Sequence, residues 1–150
     1  MITIHCDGSC LGNPGAGGWA ALLQYDRADN RKEKMISGGA SFTTNNQMEL
    51  TAALMALEAI IKPMPIAIYT DSEYLQKGIT EWSKKWLVNG FRSSTRKPIK
   101  NMELWRNLLG HPLLPQVTWH WVRGHSGHPE NERVDQLARA TALEWQMKRT

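Results

Sequence analysis

The sequence predicts an α/β protein built on a mixed five-stranded sheet flanked by helices, with strands 1–3 antiparallel and strands 1, 4 and 5 parallel. Three observations carry this prediction. Three strand-like segments open the chain, joined by links too short for anything but antiparallel connections. A helical segment then leads into a short apolar strand, the pattern of a crossover that returns parallel to the sheet. Towards the end, a last strand is followed by a long helix.

Taken in order, Ile2-Thr3-Ile4-His5-Cys6 alternates as a strand does, and Asp7-Gly8 is expected to stop it. Gly12-Asn13-Pro14-Gly15 is turn chemistry. Trp19 to Tyr25 reads as the second strand, Asp29-Asn30 as a turn, and Lys34 to Phe42 as a third strand weakened by Gly38-Gly39. Leu50, Leu54, Leu57 and Ile61 recur at helical spacing. Asn46 with Glu49 resembles a capping box at the start of that helix, and Pro63 and Pro65 end it. Ile66 to Thr70 is the fourth strand, running into Asp71-Ser72. Helical segments follow at Tyr74–Gly78, Glu81–Val88 and Met102–Leu109, then a strand at Val117–Val122. A final helix begins near Pro129, with Val134, Leu137 and Ala138 inward.

The 150 residues suit one domain, expected to span 1–150, and 41% hydrophobic residues suffice for an ordinary core. No apolar run approaches the roughly 18 residues of a membrane span, and the start lacks the pattern of a signal peptide. Cys6 and Cys10 are too few for a disulfide framework, so a reduced, cytoplasmic protein is expected. Charge is asymmetric. Residues 1–80 carry six Lys/Arg against eight Asp/Glu, and residues 81–150 carry twelve against six. A polyanion partner for the second half fits this, as does a solvated basic face.

The acids near strand ends carry the chemistry. If the first and fourth strands are parallel neighbours, Asp7 and Asp71 emerge at the same sheet edge, where open α/β sheets bind ligands. Glu49 lies in the first turn of the connecting helix and Asp135 early in the last one. Carboxylates converging without matching bases repel each other, and a hard divalent cation with oxygen ligands removes the repulsion. Two such ions suit phosphodiester cleavage. Taken singly, each acid reads more readily as a cap or a solvated charge than as a metal ligand. Asp71-Ser72 could cap a helix and Glu49 could serve a capping box.

Asp7 to Gly15 (DGSCLGNPG) resembles the opening motif of type 1 ribonuclease H. Thr43 to Leu50 (TTNNQMEL), Thr70 to Tyr74 (TDSEY) and Gly124 to Asp135 (GHSGHPENERVD) are similar to its second, third and fourth motifs, in family order across nearly the whole chain. The resemblance is to the bacterial form with a basic handle and no additional hybrid-binding domain. It implies the ribonuclease H-like fold and an endoribonuclease that hydrolyses the RNA strand of RNA/DNA hybrids, leaving a 5′-phosphate and a 3′-hydroxyl. It implies two Mg2+ ions, with Mn2+ able to substitute, held by Asp7, Glu49, Asp71 and Asp135. Asp7 would bridge both ions, Asp135 would act on the nucleophile side, and Glu49 and Asp71 on the leaving-group side. His125 would assist proton transfer or product release. Substrate contacts are implied for Gly8, Ser9, Cys10, Asn13, Thr44, Asn45, Asn46, Glu73 and Asn101.

Trp82, Trp86 and Phe91 interleave with Lys84, Lys85, Arg92, Arg96, Lys97 and Lys100, and no acid lies between Lys84 and Lys100. Basic groups for phosphates with aromatics for sugars or bases form a nucleic-acid pattern. The i, i+4 spacing of Trp82 and Trp86 fits core packing as well. The resemblance assigns this segment to the DNA strand. Gly15 to Ala20 formally matches a dinucleotide fingerprint, but a strand follows rather than a helix. Its glycines are read as letting backbone approach the RNA sugar edge. Cys6, Cys10, His125 and His128 make a poor zinc set, and His120 reads as structural. Two positions depart from many relatives: Glu73 in place of Gln, and Phe42 in place of Arg.

Two other functions fit the same fold: another nuclease or strand-transfer enzyme, and a non-catalytic hybrid-binding module. The spelling of the four motifs argues against the first and the intact acids against the second. A monomer with no membrane partner is expected.

Overall fold

In the computed structural model, which describes residues 1–27, 29–123 and 128–149, the sheet has strand order β3-β2-β1-β4-β5. β1 (Ile2–Leu11), β2 (Gly15–Arg27) and β3 (Asn30–Thr43) form an antiparallel meander, while β4 (Ile66–Thr70) pairs parallel with β1 and β5 (Val117–Trp121) parallel with β4. α1 (Asn45–Glu58) connects β3 to β4. After β4, α2 (Glu73–Lys77) runs through a π turn (Gly78–Trp82) into α3 (Ser83–Asn89). α4 (Met102–Leu109) precedes β5, and α5 (Pro129–Arg149) follows it. The mixed sheet with helices on it is the fold class expected from the sequence.

The period of two along β2 builds both layers. Ala21 and Leu23 face a core shared with α1, α2 and α4, where Leu50, Leu57, Leu75 and Trp105 are wholly buried. Ala20 and Leu22 face the opposite way, onto Val134 and Ala138 of α5. A strand covered on both faces reads as a continuous apolar run, which is why Trp19 to Tyr25 shows little alternation.

Several boundaries differ from expectation, each for a local reason. β1 does not stop at Asp7-Gly8. It continues to Leu11, paired with β2 as far as Leu11↔Ala16, while its parallel pairing with β4 ends at His5↔Tyr69. Gly8 is therefore a strand residue, not a turn residue. A Cβ there would lie 2.6 Å from the backbone nitrogen of Glu49, so glycine lets α1 come down onto the strand. The helix cap is Thr44, whose hydroxyl accepts from the Gln47 amide at 3.2 Å, so Thr44 and Gln47 hold the capping positions and Asn46 and Glu49 lie inside the helix. α1 ends at Glu58, leaving Ile61 beyond it and 94% exposed.

The glycines of β2 also have a different task from the one expected. A Cβ on Gly18 would stand 2.3 Å from the carbonyl oxygen of Ala138, and one on Gly17 would stand 2.4 Å from the Thr43 methyl. They admit α5 and the α1 entry to the sheet; the space above them is filled by protein, not left open for a ribose. Among the described residues, no helix is long and apolar enough to cross a membrane.

Candidate active site

The uneven length of the strands makes the site. Because the pairing of β4 with β1 ends at Tyr69 while β1 runs on, Asp7 projects past the β1–β4 ladder, and Asp71 follows β4 directly. α1 enters over this gap through Gly8 and brings Glu49 down between them. Carboxylate oxygens of Asp7, Glu49 and Asp71 lie within 4.8 Å of one another. Asp7 and Glu49 are buried and Asp71 is half-buried. The three line a cleft of about 370 Å³ with Gly8, Asn45, Asn46, Ser72, Glu73 and Tyr74.

Both bland readings of these acids are answered locally. Ser72, not Asp71, caps α2 by accepting from the Leu75 amide at 3.1 Å. Glu49 does not serve the cap of α1; its carboxylate accepts from the Gly8 amide. Asp135 stands outside the triangle. It pairs with Arg139 at 2.9 Å, one helical turn on, and its carboxyl group is close enough to Asp7 to interact with it. Residues 124–127 are not among those described, so the expectation for His125 lies outside them.

Burial, then the neighbouring Asp71 and Asp135, raise the Asp7 carboxyl to about 7. Burial and the adjacent Asp7 hold Glu49 well above the ordinary glutamate range. The Cys6 thiol behind them is also pushed up, by burial and then by the same three acids. Three carboxyls crowded at one edge with no base among them is a donor set that suits a hard divalent cation.

The other expected contact residues fall into two groups. Near the carboxylates, Asn13 accepts from the Asn45 amide at 3.0 Å, tying the β1–β2 turn to α1. The Cys10 thiol lies against the carbonyls of Thr43, Gly15 and Gly12, and Ser9 is half-buried in β1 between them. Thr44 and Asn101 are joined by Gln47, which donates from its backbone to Thr44 and from its side chain to Asn101 at 3.1 Å. Asn101 in turn donates to the Tyr74 hydroxyl at 3.1 Å, which also accepts from Trp105 at 2.8 Å. Gln47 and Tyr74 were not singled out from the sequence, although both sit inside recognised motifs.

Away from the cleft, Trp82 and Trp86 do both things their spacing allowed. They pack with Tyr74 and Trp105, ring centroids 5.1 to 5.8 Å apart. They also line an open, mostly apolar groove of about 340 Å³ with Tyr74, Ser93, Ile99 and Lys100. Phe91, at φ 61°, is half-buried under the Arg106 guanidinium at 5.7 Å. Lys84, Lys85, Arg96 and Lys97 are exposed. The segment carrying the last two is folded back by a bridge between Arg92 and Pro98 and by Ser93 donating to the Lys97 carbonyl at 2.7 Å. His120 stacks on Tyr69 at 4.5 Å, as a structural residue would. Phe42 is 66% exposed.

Comparison with known proteins places these motifs. The family model for RNase H matches residues 1–143. The chain is 55% identical over 139 residues to a ribonuclease H of Bradyrhizobium diazoefficiens, covering 93% of this chain and 88% of the relative. It is 51% identical over 142 residues to one from Xanthomonas campestris pv. campestris, covering 95% and 92%. Among solved structures it is similar to LC9-RNase H1, described as a type 1 RNase H with the type 2 active-site motif. That match has a TM-score of 0.83 and 32% identity, over 96% of this chain and 72% of the other.

The raised carboxyls make a prediction for the metal-free protein. Asp7 and Glu49 are protonated in both folded and unfolded states at low pH, so they cost nothing there. As pH rises from about 4 through 7, the unfolded chain releases these protons before the folded one does, and stability falls. Each pKa unit is about 1.4 kcal/mol, and 1 kcal/mol moves Tm by roughly 2–4 °C at this size. Without divalent cations, Asp7→Asn should therefore raise Tm by on the order of 10 °C at pH 8 and leave it nearly unchanged at pH 4. Thermal unfolding at the two pH values measures this; an equal effect at both would show that Asp7 is not destabilised by its surroundings.

Proposed function

The chain belongs to the ribonuclease H family, and from that premise we propose that it is an endoribonuclease that hydrolyses the RNA strand of RNA/DNA hybrids, leaving a 5′-phosphate and a 3′-hydroxyl. The observation that carries this is the carboxylate triangle of Asp7, Glu49 and Asp71 at an open sheet edge. Asp7, Glu49, Asp71 and Asp135 would hold two Mg2+ ions, with Mn2+ as a substitute; Asp7, Glu49 and Asp71 supply the clustered oxygen donors that support this reading. When bound, such ions supply an activated water and charge stabilisation for the leaving oxygen.

The protein's own groups do the rest. Burial of Asp7 and Glu49 excludes competing water and holds their oxygens in place, with the Gly8 amide fixing the Glu49 carboxylate. The Gly8 backbone, Asn45, Asn46 and Glu73 border the cleft, where polar groups can read the 2′-hydroxyl that distinguishes RNA from DNA. Ser9, Cys10 and Asn13 carry the same border along β1 and its turn. Thr44 and Asn101, linked through Gln47, would grip a phosphate of the DNA strand. The exposed lysines and arginines beyond the Trp82–Trp86 groove would hold that strand further along. His125 would move a proton or help product leave. Cytoplasmic location and a monomeric state complete the reading.

Two experiments test it. Asp7→Asn should reduce cleavage of a labelled hybrid to background at every Mg2+ concentration while hybrid binding persists, because the amide keeps the size and loses the charge. Wild-type turnover by this variant would show the site to be elsewhere. Replacing Lys84, Lys85, Arg96 and Lys97 by Ala should raise KM, leave kcat within about twofold, and lower the log–log salt slope by about one unit per lost phosphate contact. A collapse of kcat at unchanged KM would contradict the assignment of these residues to binding.

A further inference from the structure

β1 and α5 meet in two rungs. Asp7 faces Asp135, and two residues earlier His5 faces Asn131: the His5 Nδ1–H donates to the Asn131 side-chain oxygen at 2.9 Å, with both residues buried. The spacings match. Two residues along a strand advance about 6.8 Å, and the four residues from Asn131 to Asp135 advance about 6 Å along a helix. One rung is thus a neutral hydrogen bond and the other a pair of carboxyl groups that repel once ionised. The ring of His5 is itself fixed, stacked on Tyr69 at 5.0 Å, which stacks on His120. Asn131 also borders a small space shared with Asp7 and Asp71. No local pattern points to this pair, since the two residues lie far apart in the chain and His5 reads only as a strand residue.

We propose that His5 is a positioning residue: through Asn131 it clamps the first turn of α5 to β1 and so holds Asp135 beside Asp7 against their mutual repulsion. The inference rests on the assignment of Asp7 and Asp135 to the cation site. His5 touches neither substrate nor cation. It sets where one carboxylate stands before a cation arrives, as a hydrogen-bonded support does for a metal ligand. His5→Phe keeps an aromatic ring against Tyr69 and removes the donor. Asn131→Ala removes the acceptor. His5→Gln restores a donor without the ring.

The test measures Mg2+ binding to the substrate-free protein by calorimetry, kcat and KM on a labelled hybrid, and Tm, for the wild type, the three single variants and His5→Phe/Asn131→Ala. Loss of such a support weakens metal binding or activity by roughly 10-fold or more. His5→Phe and Asn131→Ala should each weaken Mg2+ binding and lower kcat by about that factor with KM for hybrid unchanged. The double variant should be no worse than either single one, and His5→Gln should recover part of the loss. Losses that multiply in the double variant, or Mg2+ binding by His5→Phe equal to the wild type, would overturn the clamp, whatever happens to Tm. If the wild type itself binds no Mg2+, it is the cation-site assignment that fails, and the clamp fails with it.

Discussion

Mutual repulsion among buried carboxylates is the constraint around which this molecule is arranged. Asp7 and Glu49 are buried at the edge of the sheet within reach of Asp71, and Asp135 approaches from α5. Nothing in a folding chain favours this by itself, since burial and like charge both penalise the ionised forms. Elements that the hydrophobic effect would bring together anyway hold the cluster in place. The apolar faces of α1 and α5 pack on opposite sides of β1 and β2, and each carries one acid to the same edge. Stability from the core offsets strain at the site, and a divalent cation is the natural partner that removes it.

The second constraint is spatial separation of charge. The carboxylates sit at one end of the molecule's functional surface and the exposed bases of α3 and the 92–100 segment at the other. Between them run the Trp82–Trp86 groove and the hydrogen-bonded chain from Gln47 through Asn101 to Tyr74. A polyanionic duplex laid along this surface would meet the cations of α3 and the 92–100 segment away from Asp7, Glu49 and Asp71, and polar neutral groups nearer to them. Glu73 is the exception, an exposed anion that borders both the carboxylate cleft and the neighbouring one lined by Gln76, Trp121 and Arg123.

Element types and their order were legible in the sequence because local patterning determines them. The strand at Ile2 to Cys6 and the helical repeat of Leu50, Leu54 and Leu57 survive in the structure, whereas the helix ends at Glu58, ahead of the prolines expected to stop it. Element ends were less legible where glycine serves a tertiary contact. Gly8 reads as a turn in sequence but lies in a strand because α1 comes down on it; Gly17 and Gly18 read as a ligand loop but admit α5 and Thr43. The meeting of Asp7, Glu49 and Asp71 could be anticipated from strand parallelism. The partners that hold them, such as His5 with Asn131, depend on side-chain register between elements 126 positions apart, which no local pattern encodes.

Substrate choice tests the account most directly. Labelled RNA/DNA hybrid, duplex RNA and duplex DNA, each incubated with the protein and Mg2+ and then with a chelator added, separate a hybrid-specific nuclease from another nuclease of the same fold and from a binding module. The account predicts cleavage of the RNA strand of the hybrid alone, with 5′-phosphate ends, and no cleavage once Mg2+ is removed. Comparable cleavage of duplex DNA, or hybrid cleavage that persists in the chelator, would contradict it.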